Sequence, residues 1–103
     1  MRKKTFCFDI DGVIATLVED LNYKNAKPKE ETIKKINELH AMGHKIILFT
    51  ARGSLTKKDW REVTELQMRL WGVKYDKLLF GKPAADYYID DKMVSLNEIK
   101  KLL

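Results

Sequence analysis

Apolar residues in this chain alternate between short continuous runs and stripes with helical spacing. The runs at residues 4–8, 45–50, 78–80 and 87–90 are short and β-prone, and they predict four strands. Two stripes predict helices that Gly43 and Gly72 end, and Ser95 is positioned to cap a third. The apolar residues of the three helices are Ile33, Ile36, Leu39 and Met42, then Trp60, Val63, Leu66 and Leu70, then Leu96, Ile99, Leu102 and Leu103.

The order of these elements indicates an α/β domain. Strands that alternate with helices form a mostly parallel sheet with helices on its faces. Thr56 and Asp59, three residues apart, resemble a capping box at the start of the second helix. Ligands of such sheets bind beyond the carboxyl ends of the strands, so candidate chemistry is expected there.

Composition narrows the class of protein. The 103 residues suit one domain, 1–103, and 45% of them are hydrophobic, which is ordinary for a globular protein. No apolar run reaches the roughly 20 residues of a membrane span, so we expect no membrane partner and a cytoplasmic location. The net charge of +5 comes from scattered basic residues, which makes nucleic-acid binding an unfavoured interpretation.

Residues suited to catalysis follow the predicted strands. They comprise carboxylates, one hydroxyl and one amine: Asp9, Asp11, Thr50, Lys82, Asp90 and Asp91. Four carboxylates brought together repel one another unless a cation joins them. Oxygen ligands suit a hard cation such as Mg²⁺, and no Cys/His cluster points to zinc. Magnesium also takes substrate phosphate as a ligand, so the pattern indicates phosphoryl chemistry.

Each of these residues has a predicted role. Asp9, at the tip of the first strand, is the candidate nucleophile that would form an aspartyl-phosphate. Asp11 is the candidate general acid and base, and Lys82 supplies positive charge to the reacting phosphoryl group. Asp90 completes the metal site, while Asp91 either binds a metal-bound water or positions Lys82.

A second set of residues is predicted to hold the phosphate. Gly12 lets the chain turn sharply and present N–H groups. The hydroxyl of Thr50 and the N–H of Ala51 can hold phosphate oxygens. Arg52 is either a phosphate ligand or a surface residue. Tyr23, Lys24 and Lys27, in the segment 14–28, are candidates for contacting the leaving group.

Together these motifs resemble those of the haloacid dehalogenase superfamily. The sequences DIDGV at 9–13, IILFT at 46–50, Lys82 and YYIDD at 87–91 stand in the order of that family's four motifs. The resemblance implies a Rossmann-like three-layer sandwich and a magnesium ion bound by Asp9, Asp90 and the backbone carbonyl of Asp11. An acid/base aspartate at position 11 is typical of the family's phosphatases.

Two further stretches are similar to small capless phosphatases of capsule and surface-polysaccharide biosynthesis. They are TARG at 50–53 and WGVKYDKLLFGKP at 71–83, and the likeness implies a small sugar or polyol phosphate as substrate. Val13 departs from the family pattern, where threonine is common. The segment 14–28 leaves no room for a cap domain. Capless members often close their sites with a neighbouring subunit, so a homo-oligomer is a further expectation.

Other functions fit part of the pattern. A phosphatase for nucleotides or nucleic-acid ends would use the same residues on a different substrate. A signalling receiver domain also uses aspartates, threonine, lysine and magnesium, but it places its acidic pair and its phosphorylated aspartate on separate strands. A catalytically inactive phosphate-binding module is the remaining alternative.

Overall fold

The computed structural model describes residues 2–102. Its strands are β1 (Thr5–Phe8), β2 (Lys45–Thr50) and β3 (Lys77–Phe80), and its helices are α1 (Glu30–Ala41) and α2 (Arg61–Leu70). Two 3-10 helices, Tyr23–Asn25 and Leu96–Leu102, complete the regular structure of the described residues. The chain is a small Rossmann-like α/β domain, which confirms the predicted fold class.

The sheet brings three strand ends to one edge. Its order is β1-β2-β3, and both pairs of strands are parallel. Phe8 lies opposite Leu48 in the register, and Thr50 lies opposite Phe80. The residues that follow each strand therefore meet at the same carboxyl edge, where the predicted catalytic residues stand.

Alternate residues of β2 show where the core lies. Ile46, Leu48 and Thr50 are buried, whereas Ile47 and Phe49 on the opposite face are only half-buried. Full burial of an aliphatic side chain contributes about 1.5–3 kcal/mol, so the first face carries most of the stabilisation. The core combines residues from the strands, both helices and the loops: Phe8, Ile10, Ile14, Ala15, Ala26, Ile33, Ile36, Leu39, Ile46, Leu48, Met68, Val73 and Ile99.

The start of α2 differs from the predicted capping box. The helix begins at Arg61, and Trp60 occupies the cap position without a side-chain cap. The carboxylate of Asp59 accepts the backbone N–H of Arg61 at 2.9 Å. Thr56 instead accepts the N–H of Lys58 at 3.3 Å within the preceding loop. The spacing of Thr56 and Asp59 therefore marks a turn, and the prediction of a capping box was wrong.

The predicted fourth strand at residues 87–90 is also absent from the described residues. Tyr87 is 85% exposed and Ile89 is 96% exposed, so their side chains contribute little to the core. The hydroxyl of Tyr88 donates to the carbonyl oxygen of Pro83, which folds the segment back on itself. A β-prone sequence forms a strand only where a partner strand receives it, and here the local contacts prevail.

The carboxyl end of the described chain matches its prediction in part. Residues 96–102 form a 3-10 helix, and Ile99 packs into the core with an exposure of 5%. Leu103, which was assigned to the same apolar face, lies outside the described residues, as does the side chain of Leu102. None of the helices in the described part of the chain has the length and apolar character needed to cross a membrane.

Candidate active site

Asp9 and Lys82 meet at the carboxyl edge of the sheet. An oxygen of Asp9, directly after β1, lies 3.5 Å from Nζ of Lys82, two residues after β3. The other oxygen of Asp9 accepts the N–H of Ile10 at 2.8 Å, which fixes the carboxylate. The side chain of Asp9 is 31% exposed, so an incoming substrate can reach it. The predicted nucleophile and the predicted lysine therefore lie in contact.

Thr50 holds the chain that carries Lys82. Its carbonyl oxygen accepts the N–H of Lys82 at 3.1 Å. The side chain of Thr50 is fully buried, and its hydroxyl accepts the N–H of Arg52 at 3.1 Å. Ala51 stands next to it and is half-buried. Both residues lie at the predicted edge, and their contact with a phosphate stays a prediction.

Asp11 forms a two-pronged ion pair with Arg52. Nε and Nη2 of the guanidinium each donate to one oxygen of Asp11, both at 2.9 Å. The side chain of Arg52 has no exposure, and that of Asp11 is 17% exposed. Paired N–H donors in the plane of a carboxylate give this contact both strength and a fixed orientation. Asp11, two residues after Asp9 in the chain, is thus held with both of its oxygens engaged.

The remaining donors of Arg52 point into the protein. Nη1 donates to the hydroxyl of Thr64 at 2.9 Å and to the side-chain oxygen of Gln67 at 2.6 Å. Every guanidinium nitrogen of Arg52 therefore has a partner within the protein, and the buried side chain orients Asp11. Its predicted contact with a phosphate stays a prediction, and the alternative of a surface residue is wrong, because the side chain is buried.

Gly12 makes the turn that was expected of it, with different hydrogen bonds. Its φ of +87° lies in the left-handed region, where residues with a side chain are disfavoured. Its own N–H donates to the carbonyl of Ala15 at 2.7 Å, and its carbonyl accepts from Nζ of Lys29 at 3.2 Å. The glycine therefore closes the loop after β1, and its N–H is used inside that loop.

Tyr23 ties the segment 14–28 to the site. The guanidinium of Arg52 lies 4.8 Å from the centre of the Tyr23 ring, and the ring of Trp60 meets it edge-on at 5.0 Å. The side chain of Gln67 donates to the Tyr23 carbonyl at 2.7 Å. Burial, followed by the charge of Asp11, raises the pKa of the Tyr23 hydroxyl, and Arg52 opposes that rise. Tyr23 thus contacts the residues that hold Asp11.

Asp90 does not join the carboxylates after β1. It is exposed, and its carboxylate accepts the N–H of Lys92 at 2.8 Å. That hydrogen bond from the Lys92 N–H lowers the pKa of Asp90. Across residues 2–102, no three side chains of His, Cys, Asp or Glu are grouped so that they could hold a metal ion. The predicted set Asp9, Asp11 and Asp90 is therefore not assembled.

The partners of the two carboxylates explain this result. Each oxygen of Asp9 and Asp11 already faces an amine, a guanidinium or a backbone N–H. The two acids are neutralised by Lys82 and Arg52, so the repulsion that called for a metal is relieved by side chains. As placed, the carboxylates of Asp9 and Asp11 face donors of the protein itself, and the binding of magnesium stays a prediction.

Tyr88 is a site residue that the sequence did not reveal. Nζ of Lys82 lies 4.0 Å from the centre of its ring, so the lysine sits between an aromatic face and Asp9. Such a contact stabilises an exposed cation by about 0.5–1 kcal/mol. The sequence marked residues 87–91 as important, but for the carboxylates at its end. Alternation alone could not show that the ring would meet Lys82.

Fold and site together describe a small Rossmann-like domain with two aspartates, a lysine and an arginine at its carboxyl edge. No protein-family model matches the chain, and no curated protein matches it. It is similar to the crystal structure of a structural-genomics target from Vibrio cholerae, with a TM-score of 0.81 at 27% identity. That match covers 96% of this chain and 95% of the other.

A similar fold occurs in two structures of the Pnkp1/Rnl/Hen1 complex, an RNA repair complex. Both give a TM-score of 0.64 at 24% identity. They cover 85% and 97% of this chain but only 31% and 30% of the matched chains. This chain thus spans about a third of the length of those neighbours, and at this identity the likeness shows the fold alone.

Proposed function

We propose that this chain is a phosphomonoesterase in which Asp9 attacks phosphorus. The observation that carries the proposal is the contact between Asp9 and Lys82 at an accessible strand end. A carboxylate that approaches an anionic phosphate is repelled, and a fixed ammonium group 3.5 Å away offsets that repulsion. Because Asp9 follows directly on β1, the sheet holds its backbone in place during the attack.

The proposed reaction has two steps. In the first, an oxygen of Asp9 forms a bond to phosphorus, the bond from phosphorus to the ester oxygen breaks, and Asp11 gives that oxygen a proton. In the second, Asp11 takes a proton from water, the water oxygen attacks phosphorus, and Asp9 leaves as a carboxylate. Before the first step, Asp11 gives up one hydrogen bond with Arg52 and takes a proton from solvent, which it then passes to the ester oxygen. In the second step the same oxygen accepts the proton of the attacking water.

Arg52 acts in this proposal as a positioning residue. Its Nε and Nη2 hold both oxygens of Asp11, while Thr64 and Gln67 anchor the other end of the guanidinium. Magnesium dependence is the part of the proposal that rests on residue types and on the family resemblance. The hard oxygen ligands of the acidic residues support it.

The substrate is proposed to be a small phosphate ester of the sugar or polyol type, as the resemblance to capless phosphatases implies. A second candidate is a phosphatase for nucleotides or nucleic-acid ends. The occurrence of a similar fold in an RNA repair complex favours this candidate. The partners named for that complex belong to it and not to this chain. Competition of phosphorylated RNA ends with a sugar phosphate in the same assay separates the two.

The test is phosphate release from a panel of sugar, polyol and nucleotide monophosphates with magnesium present. Asp9→Asn should abolish turnover, and it should also abolish the acid-stable, hydroxylamine-sensitive label left by a radioactive phosphate ester. Asp20→Asn is the matched control, because Asp20 is exposed and an amide oxygen can still accept the N–H of Asn22. A folded Asp9→Asn protein that keeps its turnover would contradict the proposal.

A further inference from the structure

A pocket of about 470 Å³ opens beside the candidate active site. Its walls come from residues 52–54 and 57–61, between β2 and the first residue of α2, and from residues 80, 81, 83 and 84 at the end of β3 and after it. Arg52 borders this pocket and also holds Asp11, while Gly81 and Pro83 flank Lys82 along the chain. The pocket thus borders the arginine that holds Asp11 and the chain on either side of Lys82.

Basic residues dominate the lining. Lys57, Lys58 and Arg61 line the pocket, and Asp59 is the acidic residue among those that form it. Arg52 is already neutralised by Asp11, so it adds no net charge. These three cations against one carboxylate give +2, and Glu65, whose carboxylate lies 3.6 Å from the guanidinium of Arg61, reduces the net charge to +1. A concave surface of positive charge attracts and concentrates anions.

Two of these cations are held against aromatic rings. Nζ of Lys58 lies 4.6 Å from the centre of the Trp60 ring, and the guanidinium of Arg61 lies 4.6 Å from that of Phe80. Trp60 is only 4% exposed, so the ring under Lys58 is fixed. A cation already positioned by a ring loses less freedom when an anion arrives, which favours binding.

The walls of the pocket are also built in advance. The hydroxyl of Ser54 donates to the carbonyl of Lys82 at 2.7 Å and joins the two loops. Gly53 has a φ of +83°, and a Cβ there would lie 2.3 Å from the carbonyl oxygen of Lys58. The N–H of Lys57 donates to the carbonyl of Gly53 at 2.8 Å. The backbone therefore closes the loop so tightly that only glycine fits at position 53.

From this geometry we infer that the substrate carries a second anionic group, a phosphate or phosphodiester, which binds between Lys58 and Arg61. The inference rests on the proposed function and deepens it. The phosphate that reacts lies at Asp9 and Lys82, and the second anion lies in the adjoining pocket. Two sources can supply that chemistry: a bisphosphorylated small metabolite, or a nucleotide with a second phosphate.

Binding to the Asp9→Asn variant tests the inference without turnover. Calorimetry compares fructose bisphosphate with fructose monophosphate, and thymidine bisphosphate with thymidine monophosphate. We expect one bisphosphate to bind about tenfold more tightly than its monophosphate, since two partly exposed charge pairs are each worth up to about fivefold. The preference should shrink as salt rises, because the pocket is open to solvent. Whichever pair shows the preference identifies the source.

Paired variants locate the effect. In the Asp9→Asn background, Lys58→Gln with Arg61→Gln should bring the ratio of the two affinities to about one, whereas Lys58→Arg with Arg61→Lys should keep it. Lys74→Gln with Lys77→Gln removes two exposed lysines outside the pocket and is the matched control. Equal affinities for both members of each pair, or a preference that survives the loss of Lys58 and Arg61, would overturn the inference. Absence of turnover in the unmodified protein, with the binding preference intact, would instead remove the proposed function.

Discussion

Replacing Arg52 by methionine should lower the free energy of unfolding more than the same replacement of an exposed arginine. The guanidinium makes four hydrogen bonds, two to Asp11 and one each to Thr64 and Gln67. Methionine fills a similar volume but leaves the carboxylate and both neutral acceptors without their donor. A buried pair that loses one partner costs about 3–5 kcal/mol. Because the Asp11 side chain is 17% exposed and water can reach it, we expect about 3 kcal/mol.

Urea unfolding measures this cost. With an m-value of about 1.5 kcal/mol/M, a loss of about 3 kcal/mol moves the midpoint down by about 2 M. Arg61→Met is the matched control: its side chain is 54% exposed and pairs with Glu65 one turn away, which is worth about 0.3–0.5 kcal/mol. Arg52→Lys keeps the charge and loses the fork, so its midpoint should fall between the two.

A double-mutant cycle then isolates the pair itself. Asp11→Asn and Arg52→Met are made singly and together, and the coupling energy should reach at least about 1 kcal/mol because the two side chains are in direct contact. Equal midpoints for Arg52→Met and Arg61→Met, or additive effects in the cycle, would refute the buried two-pronged pair and with it the positioning role of Arg52.

Three further outcomes are expected. Asp11→Asn should lower the steady-state rate of phosphate release by about 10²–10⁴-fold, the usual contribution of general acid–base catalysis, and an unchanged rate would mean that another group moves the proton. Chelation of divalent metal should stop turnover and magnesium should restore it; turnover that persists in chelator would refute the magnesium prediction. The absorbance change on tyrosine ionisation, measured against pH, should lose one step in the Tyr23→Phe variant. That step, which belongs to Tyr23, should lie above the ordinary tyrosine pKa of about 10, because burial and the charge of Asp11 disfavour the phenolate. A step at or below that value would contradict the burial of the Tyr23 hydroxyl near the charge of Asp11.

The sequence was sufficient where local pattern and sheet topology decide the outcome. The apolar runs that became β1, β2 and β3 were found within one residue of their ends. The rule that parallel strands place their carboxyl ends at one edge then predicted that Asp9 and Lys82, far apart in sequence, would lie close together. Their separation of 3.5 Å follows from topology, which a pattern of apolar residues can indicate.

The sequence was insufficient where distant side chains choose their partners. In the sequence, Arg52 is a cation that follows a strand end, and nothing near it in the chain indicates a partner. Its burial depends on Asp11, Thr64 and Gln67, which come from other parts of the chain. A charge can be buried only when several donors and acceptors match it in space, and spacing along the chain does not report that match. The prediction of a strand at residues 87–90 was wrong for a related reason. Their sequence has β propensity, but no strand of the described sheet pairs with them.

The anchoring of Tyr23 bears on how the proposed substrate would bind near Asp9. Residues 14–28 are joined to the rest of the molecule by the ring contacts of Tyr23 and by the bond from Gln67, and Lys27 and Thr16 exchange two hydrogen bonds across the segment's own ends. The segment 14–28 is therefore held in place at its two ends and at Tyr23. In the proposed phosphatase we expect the substrate to bind in a single kinetic step, without a prior movement of this segment.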